Sequence, residues 1–279
     1  MKTMPLWLSL VGRLSRGLPY FRGKWRMADF LFHHWHAGTE LEETIVLLRD
    51  CKMLLHLSDE VDNNIWWLGL GYEARPTAYF RSVLLPGLTV LDVGANIGFF
   101  SFVAACSGCA VHAFEPSPDT YRALVHNVSL NPKLSIIPVN VALADVSATL
   151  PIYGGDAENS GSNSLSAFLG ASVIANIRTV RLDDLYAAGD FEAPSVIKID
   201  VEGYEMAVLR GAEELLRERH PLLFIEVRDS HLRRSGTTRA DLYAWLAARN
   251  YTAYGFDRSG RCLPLATPQD GLLVLFRPK

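Results

Sequence analysis

From Thr89 onward, short apolar runs alternate with longer amphipathic stretches. The runs are TVLDVGA, AVHAFEP, LSIIPVNVAL, SVIKIDV and PLLFIEV, and helical segments such as 118–127 and 204–218 lie between them. Near-continuous apolar strands separated by helices indicate a parallel sheet that is covered on both faces. This alternation therefore predicts an α/β protein built on a mostly parallel sheet.

The two ends of the chain follow other patterns. YTAYGFD and GLLVLFRP are separated by a loop too short for a helical crossover, so we expect them to pair antiparallel. TELEETIVLLRD predicts an amphipathic helix that opens with a capping box of Thr39 and Glu42. KMLLHLSDEVDNNIWWLGLGYE predicts two strands around a polar turn, and PTAYFRSVLLPG predicts a helix. We expect a helical and hairpin appendage over residues 1–70, followed by one domain over 71–279.

Composition and charge limit the classes of protein to which this chain could belong. Hydrophobic residues make up 49% of the 279 residues, which is enough for a sizeable core. The 27 basic and 30 acidic residues give a net charge of −3, so no global field points to nucleic acid or to an anionic membrane. The run MPLWLSLVG is about half the ~20 residues that a transmembrane helix needs. We expect a cytoplasmic protein without a transmembrane segment or a nucleic-acid partner.

Cysteine and histidine patterns in this chain do not indicate a metal or redox centre. Cys106 and Cys109 form a CxxC in an apolar helix, and we interpret them as buried small residues. Residues 1–38 are basic and aromatic, and we interpret them as a docking arm or helical cap that could form a homodimer interface. Three histidines of this segment lack a partner cluster at metal-site spacing, namely His33, His34 and His36.

Polar residues follow four of the predicted strands at their carboxyl ends, where open α/β sheets bind ligands. The first strand ends in DVGANIG, whose glycines allow close backbone approach and whose amides open a helix. The second ends in Glu115, where a carboxylate can accept both hydroxyls of a ribose. The third places Asn140 and Ala142 where an adenine edge could lie. The sequence therefore predicts a site for an adenosine-containing cofactor.

Details of these strand ends favour S-adenosylmethionine over a nicotinamide dinucleotide. GANIG lacks the G-x-G-x-x-G spacing that holds a pyrophosphate. The acid of the second strand is followed by proline and serine, and the C-terminal hairpin is unlike a dinucleotide domain.

The fourth strand end, VIKIDVEGYE, carries charges at alternate positions. Lys198, Asp200 and Glu202 would share one face if the strand continues through them. Three charges on one side of a central strand are costly to bury unless they are paired or needed, so we interpret them as functional. The alternative is that Lys198 forms an ion pair that anchors the strand end. Glu226 ends the next strand, where it could line the pocket or pair with Arg228.

Eight sequence blocks occur in order between Gly71 and Val227: GYE, LDVGANIGFFS, AFEPSPDTYRALVHNVSLN, NVALAD, NSGSNSL, TVRLDDL, VIKIDVEGYEMAVLRGA and PLLFIEV. Together they resemble the FkbM-type methyltransferases, a branch of the class I S-adenosylmethionine-dependent enzymes. The resemblance implies a Rossmann-like fold with a mostly parallel seven-stranded sheet and an antiparallel C-terminal hairpin. It also implies O-methylation of a sugar, polyketide or other secondary metabolite. Methylation of nitrogen or carboxylate, and cofactor binding without catalysis, are the alternatives.

The resemblance also implies roles for individual residues. The expected cofactor-binding residues are Tyr72, Glu73, Asp92, Gly94, Ala95, Asn96, Gly98, Phe99, Glu115, Pro116, Ser117, Asn140, Val141, Ala142 and Asp200. The resemblance places Lys198, Asp200 and Glu202 at the reacting centre. From the chemistry of the residues, we expect Asp200 or Glu202 to be the general base, with His231, which follows the IEVRD strand end, as the next candidate. A divalent metal such as Mg²⁺, held by Asp200 and Glu202, could instead acidify the acceptor hydroxyl. The polar insert 154–170 predicts a lid over the site, or else a plain surface loop.

Overall fold

The structure is a computed structural model that describes residues 2–3, 5–18, 21, 23–31, 33–34, 40–154, 160–256 and 261–279. The helices are α1 (Leu6–Gly17), α2 (Lys24–Leu31), α3 (Glu60–Leu68), α4 (Ala74–Val83), α5 (Phe99–Ala105), α6 (Pro118–Ser129), α7 (Leu182–Ala188), α8 (Glu205–Arg210), α9 (Glu213–Arg219), α10 (Asp229–Leu232) and α11 (Arg239–Ala247). The strands are β1 (Lys2–Thr3), β2 (Leu41–Leu48), β3 (Cys51–His56), β4 (Thr89–Val93), β5 (Ala110–Phe114), β6 (Ile136–Val139), β7 (Ala142–Leu143), β8 (Ala148–Gly154), β9 (Ser172–Val180), β10 (Val196–Ile199), β11 (Leu222–Val227), β12 (Tyr251–Phe256), β13 (Cys262–Pro264) and β14 (Gly271–Pro278).

A single large sheet organises the fold, with the strand order β13-β12-β14-β11-β10-β4-β5-β6. Its centre is parallel, because β10 pairs in parallel with both β4 and β11, and β4, β5 and β6 continue in parallel. Strand β14 runs antiparallel between β11 and β12. The predicted Rossmann-like sheet with an antiparallel C-terminal hairpin is therefore confirmed. It has eight strands rather than seven, because the short edge strand β13 pairs with β12.

The central strands are apolar on both faces because helices cover both sides of the sheet. Val90 of β4 and Phe224 of β11 pack in one buried cluster. Their neighbours Leu91 and Leu223 pack in the other. Successive side chains of a strand point to opposite faces, so a strand that is buried on both faces is apolar at most of its positions, with polar exceptions such as Asp92 and Lys198 near the carboxyl ends. This is the physical reason for the continuous apolar runs in the sequence.

The prediction of a helix over TELEETIVLLRD is wrong, since residues 41–48 form strand β2, which pairs antiparallel with β3. Ile45 and Leu47 are buried while Val46 between them is exposed, which is the two-residue period of a half-buried strand. Glu42 lies in this strand and pairs with His56, and Thr39 lies outside the described residues. The predicted capping box therefore does not form.

The prediction of two strands over residues 52–73 is wrong in its second half. Strand β3 forms, but the chain then enters helix α3, because the side chain of Asp59 accepts hydrogen bonds from the amides of Val61 (2.9 Å) and Asp62 (3.1 Å). Trp66 and Trp67 of this helix are buried in the same cluster as the sheet residue Val90. The next predicted helix is confirmed as α4.

Two three-stranded sheets accompany the large sheet in the described residues, one of order β1-β2-β3 and one of order β7-β9-β8. The sheet β7-β9-β8 was not predicted, and it brackets the polar insert 154–170. All four cysteines are free thiols, and Cys106 and Cys109 are buried. Across the described parts of the chain, no helix has the length and apolarity needed to cross a membrane.

Candidate active site

A cavity of about 830 Å³ opens at the carboxyl ends of the central strands. Strands β4 and β10 are neighbours, and the chain proceeds from β4 toward β5 on one side and from β10 toward β11 on the other. Such a reversal of strand order leaves a crevice at the sheet edge, which is where open α/β sheets bind ligands. The cavity therefore lies at the place that the sequence predicted.

The backbone amides of the turn 94–98 are already hydrogen-bonded within the protein. The amides of Gly94 and Ala95 both donate to the Phe114 carbonyl, and the amide of Asn96 donates to the Glu115 carboxylate. The amide of Ile97 donates to the Asn96 side chain, and that of Gly98 donates to the Ala95 carbonyl. All of these bonds are 2.6–3.0 Å long. Phosphate sites at such turns depend on amides that point at the ligand. The turn therefore suits a cofactor without a pyrophosphate.

The glycines of this turn have a packing role that differs from the expected one. A Cβ atom on Gly94 would lie 1.8 Å from the carbonyl oxygen of Asp200, and a Cβ on Gly98 would lie 2.8 Å from Leu124. Both residues also have positive φ angles, of 75° and 102°. Glycine is needed here for packing, because two strand ends and a helix approach one another closely.

The carboxylate of Glu115 is fixed at the cavity wall. One oxygen accepts a hydrogen bond from the Asn96 amide and the other from the Ser117 amide, each at 2.9 Å. Asn140 supports the same segment by donating to the backbone carbonyl of Glu115 at 2.8 Å. Burial raises the pKa of Glu115 to about 7. Each carboxylate oxygen keeps a second lone pair, so the group can still accept hydroxyl donors from a ligand.

Lys198 joins the ends of two central strands. Its ammonium group donates to the Gly94 carbonyl at 2.8 Å and lies 3.5 Å from Asp92 and 3.3 Å from Asp200. Burial would lower the pKa of Lys198, but the carboxylates of Asp200 and Asp92 more than offset this and raise it. Asp92 also accepts a hydrogen bond from Ser101 at 2.6 Å. These contacts are those expected if Lys198 anchors the strand end through an ion pair, which was the alternative interpretation of this residue.

The expectation that three charges share one strand face is wrong for Glu202. Strand β10 ends at Ile199, and Glu202 lies in the following turn with a φ of 54°. Its carboxylate oxygen is 2.7 Å from Nδ1 of His231 in α10, although Nδ1 has no well-aligned hydrogen bond. A Cβ on Gly203 would lie 2.4 Å from the His231 carbonyl, so glycine lets this turn approach α10. The turn therefore pairs an acid with a histidine that lies 29 positions later in the sequence.

Glu226 meets both of the alternatives that the sequence left open, because it lines the cavity and pairs with Arg228 at 2.8 Å. Its other carboxylate oxygen has no hydrogen-bond partner within the described residues. Burial and repulsion from Asp200 and Glu202 raise the pKa of Glu226 well above its usual value. One ligand atom each from Glu202, Glu226 and His231 lie within 4.8 Å of one another. Asp200, which was the expected partner of Glu202 in metal binding, is not part of this set.

Tyr72 and Glu73 line the cavity wall just before α4, as the GYE block led us to expect. The Tyr72 ring packs edge-on against Phe99, with ring centres 5.1 Å apart. Burial and the neighbouring charge of Asp200 raise the pKa of Glu73 to about 7. One of its oxygens is buried without a hydrogen-bond partner in the described chain, so this carboxyl group is free to meet a ligand.

Most of the residues singled out in the sequence converge on this cavity. Its lining includes Tyr72, Glu73, Gly94, Ala95, Asn96, Phe99, Glu115, Pro116, Val141, Ala142, Lys198, Asp200, Glu202 and His231. Four expected cofactor residues do not line it, namely Asp92, Gly98, Ser117 and Asn140, which support the wall from behind or lie outside it. Arg26 and Asn64 also line the cavity and were not predicted, because they come from the N-terminal region and no local pattern marks such long-range contacts; Trp25 of the aromatic N-terminal segment lines it as well.

The described part of the insert 154–170 also reaches the cavity. Gly161, Ser162, Asn163 and Leu165 line it, and the Ser164 hydroxyl donates to the Glu202 carbonyl at 2.8 Å. Residues 155–159 lie outside the described residues. The lid remains a prediction.

Comparison with known proteins places this geometry in a family. The model of the methyltransferase FkbM domain matches residues 92–253, which is more than half of the chain. The chain is 34% identical over 127 residues to the hexuronic acid methyltransferase AglP of Haloferax volcanii, covering 45% of this chain and 50% of that protein. It is 30% identical over 175 residues to the 31-O-demethyl-FK506 methyltransferase FkbM of Streptomyces tacrolimicus, covering 52% and 67%. It thus spans one half to two thirds of the length of these relatives.

Among solved structures, the methyltransferase FkbM of Methylobacillus flagellatus is similar, with a TM-score of 0.46 and 17% identity over 78% of this chain and 54% of that one. The match of the domain model over more than half of the chain decides the family. The chain therefore belongs to the FkbM methyltransferase family, a family of S-adenosylmethionine-dependent enzymes.

Proposed function

We propose that this protein transfers a methyl group from S-adenosylmethionine to a hydroxyl of a sugar, polyketide or other secondary metabolite. The observation that carries the proposal is the pairing of Glu202 with His231, 2.7 Å apart, in the same cavity as Glu115. A hydroxyl is a poor nucleophile until a base takes its proton, and this pair supplies a base. An amine acceptor would not require one.

The residues of the cavity fit the proposed cofactor. The fixed Glu115 carboxylate would accept the two ribose hydroxyls, and Val141 and Ala142 would flank the adenine. The carboxylates of Glu73 and Asp200 would favour the positive charges of the sulfonium and the ammonium group, since such charges interact strongly in a buried site. A glycine turn without spare amides suits this cofactor, because it carries no phosphate.

When bound, S-adenosylmethionine supplies an activated methyl group, so the protein must orient the acceptor oxygen and remove its proton. Orientation of the acceptor in the cavity can account for much of the rate enhancement. Glu202 beside Nδ1 would orient the His231 ring, which leaves Nε2 to take the proton. Asp200 is less suited to this role, because Lys198 lies 3.3 Å from its carboxylate. This refines the expected order of bases by placing His231 first, with Glu202 as its partner.

The names of two relatives support an oxygen acceptor. One relative is a hexuronic acid methyltransferase and the other is a 31-O-demethyl-FK506 methyltransferase. A uronic acid also carries a carboxylate, which keeps carboxyl methylation as an alternative to be tested.

A divalent cation is a second route to the same reaction, and the clustering of Glu202, Glu226 and His231 within 4.8 Å favours it. A cation there would acidify a bound hydroxyl directly, without a protein base. Assays after chelation, with and without added Mg²⁺, distinguish the two routes. The histidine route predicts activity that persists in a chelator, whereas the metal route predicts activity that is lost in a chelator and restored by Mg²⁺.

The experiment for the function itself is methyl transfer from labelled S-adenosylmethionine to uronic acids, neutral sugars and hydroxylated polyketides. We expect an O-methyl product, together with calorimetric binding of S-adenosylhomocysteine but not of NAD. His231→Gln should lose turnover and keep S-adenosylhomocysteine binding. An N-methyl or ester product would favour one of the alternatives. Cofactor binding without transfer to any acceptor would favour a non-catalytic binding protein.

A further inference from the structure

Helix α1 carries an apolar face that no described part of the chain covers. Leu6, Trp7, Leu10 and Leu14 are between 57% and 90% exposed. Only a narrow stripe of the helix, formed by Leu8, Gly12 and Ser15, is buried. A surface helix usually turns its apolar face to the core, whereas α1 turns most of its large apolar residues away from it.

The orientation of α1 is fixed by contacts along its buried stripe. A Cβ on Gly12 would lie 2.4 Å from the Trp66 ring, so the helix lies directly against α3. The Ser15 hydroxyl donates to the Trp67 carbonyl at 2.8 Å, and Arg16 donates to the Trp66 carbonyl at 2.6 Å. Helix α1 cannot rotate about its axis to bury its apolar face without losing these contacts, so they hold that face toward solvent.

Helix α2 adds further exposed apolar residues near the end of α1. The buried Lys24 ammonium of α2 donates to the carbonyls of Ser15 (2.5 Å) and Leu18 (3.0 Å) at the end of α1, which fastens the two helices together. We define the N-terminal apolar surface by its exposed residues on both helices and between them: Leu6, Trp7, Leu10, Leu14, Leu18, Phe21, Trp25 and Phe30. This is a large share of the exposed bulky apolar residues in the described chain.

The charge of this segment is opposite in sign to that of the whole chain. Residues 1–31, through the end of α2, contain six lysine and arginine residues and one acidic residue, Asp29, although the net charge of the chain is −3. The side chains of Arg13 and Arg26 are exposed beside the N-terminal apolar surface. A second copy of the chain would bring two such basic segments together, because a two-fold contact pairs the same patch with itself. The charge therefore favours an anionic occupant over a homodimer.

We propose that α1 and α2 bind the surface of an anionic lipid bilayer. An amphipathic helix with leucine and tryptophan on one side and basic residues beside them lies in the plane of the interface, and basic residues are attracted to anionic headgroups. Trp25 and Arg26 also line the candidate active-site cavity, so docking would hold its opening at the membrane surface. The proposal concerns binding alone and does not depend on the identity of the methyl acceptor.

The test is sedimentation of the full-length chain with vesicles of phosphatidylcholine alone or mixed with phosphatidylglycerol. We expect binding to the anionic vesicles that weakens as salt is added. Replacing both Arg13 and Arg26 by glutamine should weaken binding by roughly 25-fold, because each basic residue at an anionic surface contributes about a fivefold effect. Leu14→Gln should weaken it by about tenfold or more, since the buried side chain is lost from the interface.

Leu85→Gln is the matched control, because Leu85 and Leu14 are both 62% exposed but Leu85 lies between α4 and β4. The control should bind vesicles like the wild type, and thermal unfolding should show that both variants are folded. Equal binding to neutral and anionic vesicles, or no binding to either, overturns the proposal. So does a dimer seen by light scattering that Leu14→Gln dissociates while vesicle binding is absent.

Discussion

Replacing Glu115 by glutamine tests how the cavity would hold its cofactor. In the wild type, both carboxylate oxygens accept from backbone amides at 2.9 Å, and we propose that both also accept from ribose hydroxyls. Glutamine keeps one acceptor oxygen and places an NH₂ group where the other was. One ribose hydroxyl then loses its acceptor, and one backbone amide faces another donor.

The size of the effect follows from these contacts. A hydrogen bond to a charged group contributes about 1.5–3 kcal/mol, so the affinity for S-adenosylhomocysteine should fall roughly 10- to 150-fold. The unfolding free energy should fall by about 1–3 kcal/mol for the buried amide that loses its partner. Because burial raises the pKa of Glu115 to about 7, the assay should be run near pH 8, where the wild-type carboxylate is ionised.

Isothermal titration calorimetry with S-adenosylhomocysteine measures the affinity without involving the acceptor. Glu205→Gln is the matched control, since burial also raises the pKa of Glu205 to about 7 but the residue does not line the cavity. One oxygen of Glu205 accepts from two amides, at 3.0 and 3.2 Å, so glutamine can keep both bonds. The control should bind S-adenosylhomocysteine normally. Wild-type affinity in Glu115→Gln would refute this account of ribose binding.

Three further predictions follow from the same structure. Glu202→Gln should lower turnover about 100-fold or more, because the general base His231 loses its partner, while the calorimetric affinity for S-adenosylhomocysteine stays unchanged. Full activity of this variant would contradict the proposed role of Glu202. Gly94→Ala should lower the midpoint of urea denaturation far more than Gly87→Ala does. Both glycines have a positive φ angle, but only the Cβ added at residue 94 would lie 1.8 Å from a carbonyl oxygen. Equal midpoints for the two variants would contradict the packing argument. The unfolding free energy should fall as pH rises from about 4.5 to about 7, because burial raises the pKa of Glu73, Glu115 and Glu205 to about 7 and so favours their protonated forms in the folded state. An unfolding free energy from urea denaturation that rises over this pH range would contradict this prediction.

The sequence predicted the parallel core well because each central strand is buried on both faces, which forces a continuous apolar run. It predicted the position of Glu115 for a related reason, since the strand end fixes where the next polar residue lies. It failed at β2, where TIVLL fits either a half-buried strand or a helical stripe, and only pairing with β3 decides between them. It also missed the capping role of Asp59, which turns the chain into α3.

The chemistry of the site was harder to predict than its location. Lys198, Asp200 and Glu202 alternate along the sequence, which suggested that they share one face of a strand. The strand ends at Ile199, however, and Glu202 lies in the following turn with a positive φ angle, where its side chain meets His231. The partner of Glu202 lies 29 positions away, and no local pattern marks such a contact. For the same reason, the contribution of Arg26 to the cavity could come only from tertiary structure.

The most direct test of the central claim is a crystal structure of the protein with S-adenosylhomocysteine. We predict that the ribose hydroxyls lie within hydrogen-bond distance of the Glu115 carboxylate, that the adenine lies beside Val141 and Ala142, and that the sulfur faces Asp200. A complex in which the ligand lies elsewhere, or in which Glu115 makes no contact with it, would contradict the account.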